Sequence, residues 1–405
     1  MSNWRKSLLQ YGIILCMTAL CIEGASLIYI ASTQGRFHYA TPPYSTANAT
    51  QWTIPQTRLH PYFGYLSDLA FFPGLPGQPD GPQPDEALVG IFGGSVAQGL
   101  YVSQNATNIL RDALQALPRF AGKRVRIVNF AHSGYKQPQQ LNVFSFYLAN
   151  GMPLEVAILL DGLNEVGFNS VNFDHGLDPS MPMAPVFSDL VRQCSAGDQL
   201  EASTCQLVAV RQRASRLQAL AEQTPLAAGH LLFATLAKRS RAQYWALSKN
   251  REAQNTTASL VSYIPAPTSP DLRASLERSV QTWRFCSLAM LQIARQAGVE
   301  LFEFVQPNQY YPTHRTLTEE ERAIAWNDKS ILLRSLEPGY ALFFQQIESL
   351  RQAGLRVYDM TRVFDDLDET IYVDTCCHTN LQGYVAMEQF IADTVARELG
   401  DTPAP

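Results

Sequence analysis

The sequence has little of what marks several common protein classes. Lys and Arg number 31 against 36 Asp and Glu, a formal net charge of -5, so no basic surface for nucleic acid is predicted. Seven cysteines in 405 residues are too few for a small disulfide scaffold, and no repeat of fixed period indicates a solenoid or propeller. HExxH, paired CxxC, Walker and dinucleotide-binding motifs are missing, so neither a metal nor a cofactor is predicted. With 46% hydrophobic and 17% charged residues, the chain can still bury a large core.

One long apolar run is present, Leu8–Ser32, and it follows Arg5 and Lys6. Its length fits one helical bilayer crossing, and the preceding basic residues predict a cytoplasmic amino terminus with the rest exported. We therefore expect a transmembrane signal-anchor at residues 1–34 and a single-pass protein with a periplasmic or cell-surface domain. Glu23 inside the run is costly unless it is protonated, paired or at the outer interface. The alternative is a cleaved signal peptide followed by a soluble protein.

The rest of the chain indicates an α/β fold. Residues 35–85 are rich in Pro, Thr, Gln and Gly and are expected to form a linker and amino-terminal extension, in which the apolar stretch 60–65 lies against the main domain. Short apolar runs then alternate with helical stretches, which predicts a parallel sheet covered on both faces, in a three-layer α/β/α sandwich. The predicted strands are Leu88–Phe92, Arg124–Phe130, Val156–Leu160, Val299–Val305 and Leu355–Tyr358. Predicted helices include Asn105–Leu117, Gln139–Ala149, Leu272–Ala297 and Tyr340–Ala353. Residues 169–270 break this alternation and are expected to be a mainly helical insertion in a domain at 86–405.

Two glycine-rich segments follow the first two predicted strands. Gly93-Gly94-Ser95 can expose the Ser95 hydroxyl at the edge of the sheet, where a base can reach it. Gly134 can present its backbone N–H without an obstructing side chain, as an oxyanion hole requires. Plain turns are the alternative for both segments.

Two polar segments complete the pattern. Asn164 follows the third strand and can donate its side-chain amide to an oxyanion, or can cap the next helix instead. His378 follows Asp374 and precedes a predicted amphipathic helix, so it is a candidate general base with an orienting carboxylate. The alternative for this pair is a helix cap and a structural histidine.

In this order, the four segments resemble the Ser, Gly, Asn and His blocks of the SGNH/GDSL hydrolase superfamily. The resemblance covers about residues 86–168 and 295–400, and it is closest to a membrane-anchored bacterial branch whose first block contains GGS. It implies the flavodoxin-like SGNH fold, with Ser95 as nucleophile and His378 as base. It also implies an oxyanion hole formed by Ser95 N–H, Gly134 N–H and the Asn164 side chain. Gly94 departs from the family pattern, because an Asp is common there.

The residue that orients His378 is the second departure. Many members place the acid three residues before the histidine, where this chain has Thr375, whereas Asp374 lies four before. Asp374 can serve only if the backbone turns it back, as one helical or 3₁₀-like turn would.

The implied function is a membrane-anchored, extracytoplasmic serine esterase that uses Ser95, His378 and Asp374. Its substrate class would be an O-acyl ester on a carbohydrate or lipid. An O-acyltransferase acting on a glycan and a non-catalytic anchored binding protein are the alternatives. The expected partners are this ester-bearing substrate and the membrane.

Export also bears on the cysteines, because the exported compartment is oxidising. We expect a disulfide between Cys194 and Cys205. Cys376 and Cys377 are adjacent and cannot easily bond to each other, so either one pairs with Cys286 or both are buried thiols.

Overall fold

A computed structural model of the chain describes residues 3–34, 37–39, 57–67, 71–184, 186, 202–252 and 269–400. The chain divides into two compact units. The first contains residues 1–56 and 192–261, and the second contains residues 57–191 and 262–405. Cys194 and the side chain of Cys205 lie outside the described residues. Their disulfide therefore stays a prediction.

The second unit is built on a parallel sheet of five strands, and all five predicted strands are confirmed. Two further strands, β1 and β2, form a separate antiparallel hairpin. The seven strands are β1 Thr57–His60, β2 Gly64–Ser67, β3 Glu86–Gly93, β4 Arg124–Asn129, β5 Leu154–Asp161, β6 Glu300–Val305 and β7 Arg356–Asp359. The order in the sheet is β4-β3-β5-β6-β7, with every neighbouring pair parallel.

Burial explains why the strands are so apolar. Every residue of β3 is buried, and so is all of β5 except Glu155. Side chains alternate between the two faces of a strand, so both faces of the sheet centre must be covered. The strands therefore lack the alternating polarity of a sheet with one face in water.

Helices connect the strands. They are α1 Asn3–Gln34, α2 Ser95–Thr107, α3 Ile109–Gln115, α4 Gln139–Ala149, α5 Leu163–Asp174, α6 Ala202–Gln223, α7 Ala227–Glu252, α8 Leu272–Ala297, α9 Glu319–Ala325, α10 Leu333–Gln352 and α11 Leu381–Gly400. Helices α1, α6 and α7 belong to the first unit. In the second unit, α2 and α3 pack against α11, whereas α5, α8 and α10 pack against one another and α4 packs against α8.

The predicted helices are partly right. The bounds of α4 and α8 agree with the prediction; Asp271 caps α8 by accepting the N–H of Ala274, and Gly298 ends it at φ 71°. The predicted helix over 105–117 is helical over most of its length but wrong as one element: α2 already begins directly after β3, and a left-handed residue, Asn108 at φ 61°, separates it from α3, which ends at Gln115. Helix α10 begins at Leu333 and not at the predicted Tyr340, because the helix continues through Pro338. Helix α5 runs into the segment expected to be insertion.

The β1–β2 hairpin lies on the second unit, as the apolar stretch at 60–65 predicted. Phe63 and Tyr65 are buried in the main hydrophobic core. The Tyr65 hydroxyl donates to the carbonyl of Ser133 at 3.1 Å. The hairpin therefore packs beside the loop that follows β4.

The first unit contains the candidate membrane span. Among the described residues, one helix is long and apolar enough to cross a bilayer, and its span is Gln10–Thr33. Glu23 lies within this span and accepts the backbone N–H groups of Ala227 and Ala228, at 2.6 and 3.0 Å. The carboxylate thus caps the amino terminus of α7.

Candidate active site

The topology brings the carboxyl ends of β3 and β5 together. If the five strands are numbered in chain order, their order across the sheet is 2-1-3-4-5. The first connection adds a strand on one side of β3 and the later ones add strands on the other side, so the strand order reverses between β3 and β5. In open parallel sheets, ligands bind in the crevice at such a reversal, beyond the carboxyl ends of the strands. Ser95 follows β3 and Asn164 follows β5, so both predicted residues lie at this edge.

The turn from β3 into α2 requires glycine at Gly93. Its φ is +144°, and a Cβ there would lie 2.6 Å from the carbonyl oxygen of Leu160. The strand can therefore turn directly into the helix, which makes Ser95 the first helical residue. The N–H of a first helical residue has no carbonyl four positions before it within the helix, so that of Ser95 is free to act as a donor to a ligand.

Asn164 is an amide donor and does not cap α5. Glu165 fills the capping role, because its carboxylate accepts the N–H of Gly162 at 2.8 Å. The Asn164 side chain is buried and donates from Nδ2 to the carbonyl of Tyr135 at 2.7 Å. An amide nitrogen carries two hydrogens, so one remains for a ligand.

Gly134 lies in the turn after β4 and is linked to Asn164 through its neighbour Tyr135. Its φ is +78°, and a Cβ there would lie 2.6 Å from the hydroxyl of Tyr65. The turn is closed by the N–H of Tyr135 donating to the carbonyl of His132. The carbonyl of Tyr135 receives the Asn164 amide, so the turn and the Asn164 side chain are held in register.

Asp374 binds His378 directly. Asp374 Oδ2 lies 2.5 Å from His378 Nδ1, while Oδ1 accepts the N–H groups of Cys376, Cys377 and His378. The loop is not a helical or 3₁₀ turn, because it closes by the N–H of Val373 donating to the carbonyl of His378. Backbone wrapping around the carboxylate is therefore what allows an acid four residues away to reach the ring.

Thr375 makes no described hydrogen bond to the ring of His378. The residue is exposed, and its described contact is through its carbonyl, which accepts the Tyr310 hydroxyl at 2.8 Å. Gln309 fixes the same loop by donating to the carbonyl of Asp374. Two residues that follow β6 thus anchor the backbone that carries Asp374.

The charge of Asp374 sets the protonation of His378. Burial favours the neutral ring, but the hydrogen bond to Asp374 outweighs it and raises the pKa of His378 to about 9. Burial would likewise raise the pKa of Asp374, but the hydrogen bonds from His378 and from the backbone lower it. A hydrogen on Nδ1 that points at Asp374 leaves Nε2 as the nitrogen that can accept a proton.

Packing between α11 and α2 links the histidine loop to the helix that begins at Ser95. Tyr384 lies near the start of α11, and its hydroxyl lies against Gly99, where a Cβ would overlap it. Within the described residues, no hydrogen bond joins the Ser95 hydroxyl to His378. In an unliganded site, catalytic hydrogen bonds are often long or absent.

A buried carboxylate that the sequence patterns did not predict joins two of the site's loops. Glu165 accepts the N–H of Gln137, after the Gly134 turn, as well as that of Gly162, before Asn164. Burial raises the pKa of Glu165 to about 8, against the attraction of Lys136. Lys136, equally buried, donates to the carbonyl of Pro179. The available sequence signal for this carboxylate was a glutamate directly after Asn164.

Behind Glu165 lies a second buried pair, Asp161 on β5 and Glu303 on β6. Glu303 accepts from the Trp283 indole and the Ser287 hydroxyl, and Asp161 accepts from the side chain of Gln140. Burial and their mutual repulsion raise the pKa of Asp161 to about 8, and burial raises that of Glu303 to about 7. Asp161 Oδ2 and Glu303 Oε2 accept no hydrogen bond among the described residues.

The cysteines near the site are thiols. Cys286, Cys376 and Cys377 are all free, so a disulfide to Cys286 is wrong; of the two adjacent thiols, Cys377 is buried as the alternative predicted, whereas Cys376 is half-buried. The Sγ atoms of Cys376 and Cys377 are 3.6 Å apart. Within the described ranges, no group of three His, Cys, Asp or Glu side chains is arranged to hold a metal ion.

A second serine–histidine pair serves the fold. His132 Nε2 lies 2.8 Å from the Ser67 hydroxyl and accepts the Ser67 N–H at 3.1 Å. Both residues are buried, and burial lowers the pKa of His132 to about 4. This pair ties β2 to the loop after β4, and both side chains are shielded from solvent.

Comparison with solved structures finds distant likenesses, including two proteins from Bacteroides. A candidate acylhydrolase from Bacteroides fragilis has a TM-score of 0.38 and 9% identity, over 79% of this chain and 91% of that one. A GDSL-like lipase from Bacteroides thetaiotaomicron has a TM-score of 0.36 and 10% identity, over 78% and 91%. No protein-family model and no curated protein matches the sequence. The chemistry of this chain is therefore inferred from its own residues.

Proposed function

We propose that the chain is a serine esterase of the SGNH type. The observation that carries the proposal is the Asp374–His378 hydrogen bond, in a loop whose following helix packs on the helix that Ser95 begins. A carboxylate that fixes the Nδ1 tautomer of a histidine is what a general base for a serine nucleophile requires. The two groups of helices in the second unit would then cover opposite faces of the sheet, as in a three-layer sandwich.

The proposed reaction begins with Ser95 Oγ attacking the ester carbonyl carbon while His378 Nε2 takes the hydroxyl proton. The carbonyl oxygen becomes an oxyanion, stabilised by Ser95 N–H, Gly134 N–H and the second hydrogen of Asn164 Nδ2. The C–O bond to the alcohol then breaks, and His378 returns the proton to the departing alkoxide. Water, activated by the same histidine, cleaves the acyl-enzyme and releases the acid.

We further propose that α1 anchors the protein, with the second unit outside the cytoplasm. The apolar span Gln10–Thr33 and the basic residues before it support this topology. The substrate class that accompanies this proposal is an O-acyl ester on a carbohydrate or lipid. Transfer of the acyl group to a glycan hydroxyl would share the first half of the reaction.

The test is hydrolysis of a small activated acetate ester by the full chain. Ser95→Ala is expected to remove the activity, whereas Ser133→Ala, an exposed serine in the Gly134 turn, keeps it. Equal activity in Ser95→Ala and the parent would reject the esterase. No turnover of several esters by the folded parent would favour a binding protein, and acylated glycan formed on adding an acceptor would favour the transferase.

A further inference from the structure

Glu23, the carboxylate inside the candidate span, ties the helical hairpin α6–α7 to α1. Glu23 is held by the N–H groups of Ala227 and Ala228 and by the hydroxyl of Tyr39. These contacts fix the first turn of α7 at the depth of Glu23. If α1 crosses a bilayer, the end of the hairpin lies wherever Glu23 lies.

Exposure along α1 shows which way α7 runs. Every residue from Gln10 to Ile22 is exposed, and the covered residues begin at Glu23. They recur with helical spacing as Glu23, Gly24, Ser26, Leu27 and the fully buried Ile30. Helix α7 packs against α1, begins beside Glu23 and leaves Gln10 to Ile22 uncovered, so we infer that it extends from Glu23 towards the carboxyl-terminal end of α1.

Length then places Glu23 below the surface of the bilayer. The apolar stretch from Leu8 to Ile22 is about 22 Å long at 1.5 Å per residue. The hydrocarbon core of a bilayer is about 30 Å thick. If the core begins at Leu8, it therefore extends about 8 Å past Ile22 along α1. Glu23 and the first turn of α7 therefore lie inside the hydrocarbon region on the exported side.

The composition of the hairpin end suits that position. Leu220, Leu226 and Leu232 are 44%, 56% and 57% exposed. Glu222 is the only Asp, Glu, Lys or Arg between Arg216 and Lys238, and it is half-buried and accepts a hydrogen bond from Gln218. Lys238 lies about 16 Å along α7 from Ala227, which places it among the headgroups.

The exposed apolar end of the α6–α7 hairpin is therefore expected to contact lipid. We propose that the end of the α6–α7 hairpin, residues 217–237, enters the exported leaflet beside α1, with Leu226 and Leu232 against acyl chains. Glu23 is then satisfied inside the membrane by two backbone donors and a phenol, which removes most of the cost of a carboxylate there. The inference rests on the proposed membrane anchor and is independent of the proposed esterase activity.

Site-resolved thiol labelling tests the proposal. Leu226→Cys and Gln243→Cys are made separately in the full chain, and each protein is placed in phospholipid nanodiscs that hold one copy. A charged maleimide is added, and each modified cysteine is identified by mass spectrometry. Gln243 is an exposed residue of α7, about 24 Å from Ala227, beyond the headgroups, and serves as the matched control. Cys16 and Cys21, exposed on α1, report the span itself.

Leu226→Cys is expected to react at least about 10-fold more slowly than Gln243→Cys, because a charged reagent is excluded from hydrocarbon. Cys16 should be equally protected. Fast reaction of Leu226→Cys with Cys16 still protected would overturn the hairpin insertion and leave the anchor standing. Fast reaction of Cys16 and Cys21 would overturn both. Neither result would bear on hydrolysis by Ser95.

Discussion

Gly94 lies directly against the side-chain amide of Asn164: a Cβ on Gly94 would overlap Asn164 Nδ2. Glycine at position 94 leaves room for this amide. Any side chain at 94 would have to displace the amide that donates to Tyr135. The nucleophile segment and the proposed oxyanion donor are thus fitted to each other.

Gly94→Ala should therefore reduce kcat by acting on Asn164. Removing one oxyanion donor costs about 10²–10³-fold in kcat, so Asn164→Ala sets the scale of the expected loss. In the Asn164→Ala background, Gly94→Ala should add little, because the group it displaces is already gone. Full additivity in this double-mutant cycle, measured as kcat on a small ester, would mean that Gly94 does not act through Asn164.

The pH dependence of hydrolysis should report the Asp374–His378 pair. A general base must be neutral to accept a proton, so kcat/KM should rise with pH towards an apparent pKa of about 9. Asp374→Asn removes the interaction that raises the pKa of His378, so the profile should shift to lower pH and its plateau should fall by about 10³–10⁴-fold. The measurement is kcat/KM between pH 5 and 10.

Thr375→Val is the matched control for this prediction. The Thr375 side chain is exposed and its contact to Tyr310 is through the backbone, so the profile should stay in place. A large loss in Thr375→Val with a mild Asp374→Asn would reverse the assignment of the orienting residue.

Glu165 should position the two loops that carry the oxyanion donors. Glu165→Gln leaves one oxygen to accept two N–H donors, those of Gly162 and Gln137, so the folded state should lose about 1.5–3 kcal/mol. We expect kcat to fall while KM changes little, since the loops orient the transition state. Glu155→Gln breaks only a surface pair with Lys123, and it should cost less than about 1 kcal/mol. Equal losses of thermal stability in the two variants would remove the special role of Glu165.

Stability should fall as pH rises from about 5 to 8, because of the buried carboxyls. An acid whose folded-state pKa is raised is protonated in the folded chain at pH values where the unfolded chain has released its proton. Its contribution to the free energy of unfolding is therefore complete below the unfolded-state pKa. That contribution is lost as the pH rises to the folded-state pKa. For Glu303 that window runs from 4.5 to about 7, which is on the order of 3 kcal/mol.

Glu303→Gln should flatten this part of the curve of thermal midpoint against pH. His378 contributes in the same direction above 6.5 in both proteins, so the difference between them isolates the carboxyl. Lys136, whose pKa burial lowers to about 8, acts in the opposite direction only at higher pH. Parallel curves for parent and variant between pH 5 and 8 would show that Glu303 is ionised in the folded chain.

Short-range patterns predicted the sheet well. All five core strands are apolar runs between turn residues, and α8 carries its own cap at Asp271 and its own stop at Gly298. The start of α2 was missed because the turn at Gly93 depends on the carbonyl of Leu160, a residue distant in sequence. Local propensity contains no such contact.

The site was predictable to the level of residue types but not of contacts. The choice between Asp374 and Thr375 depended on three backbone N–H groups that wrap one carboxylate oxygen. Glu303 lies in a strand whose pattern is apolar, and its partner Asp161 comes from another strand. Likewise Glu23 could be identified as costly, but its donors lie in α7, some 200 residues later.

The most direct test of the central claim is covalent modification by a fluorophosphonate, mapped by mass spectrometry. The proposed site predicts one adduct per chain, on Ser95, with a rate that rises with pH and is lost in His378→Ala. Unchanged labelling of Ser133→Ala would show that the reaction is specific. An adduct on another serine, or none on Ser95 in a chain that hydrolyses esters, would contradict the assignment of Ser95 as the nucleophile.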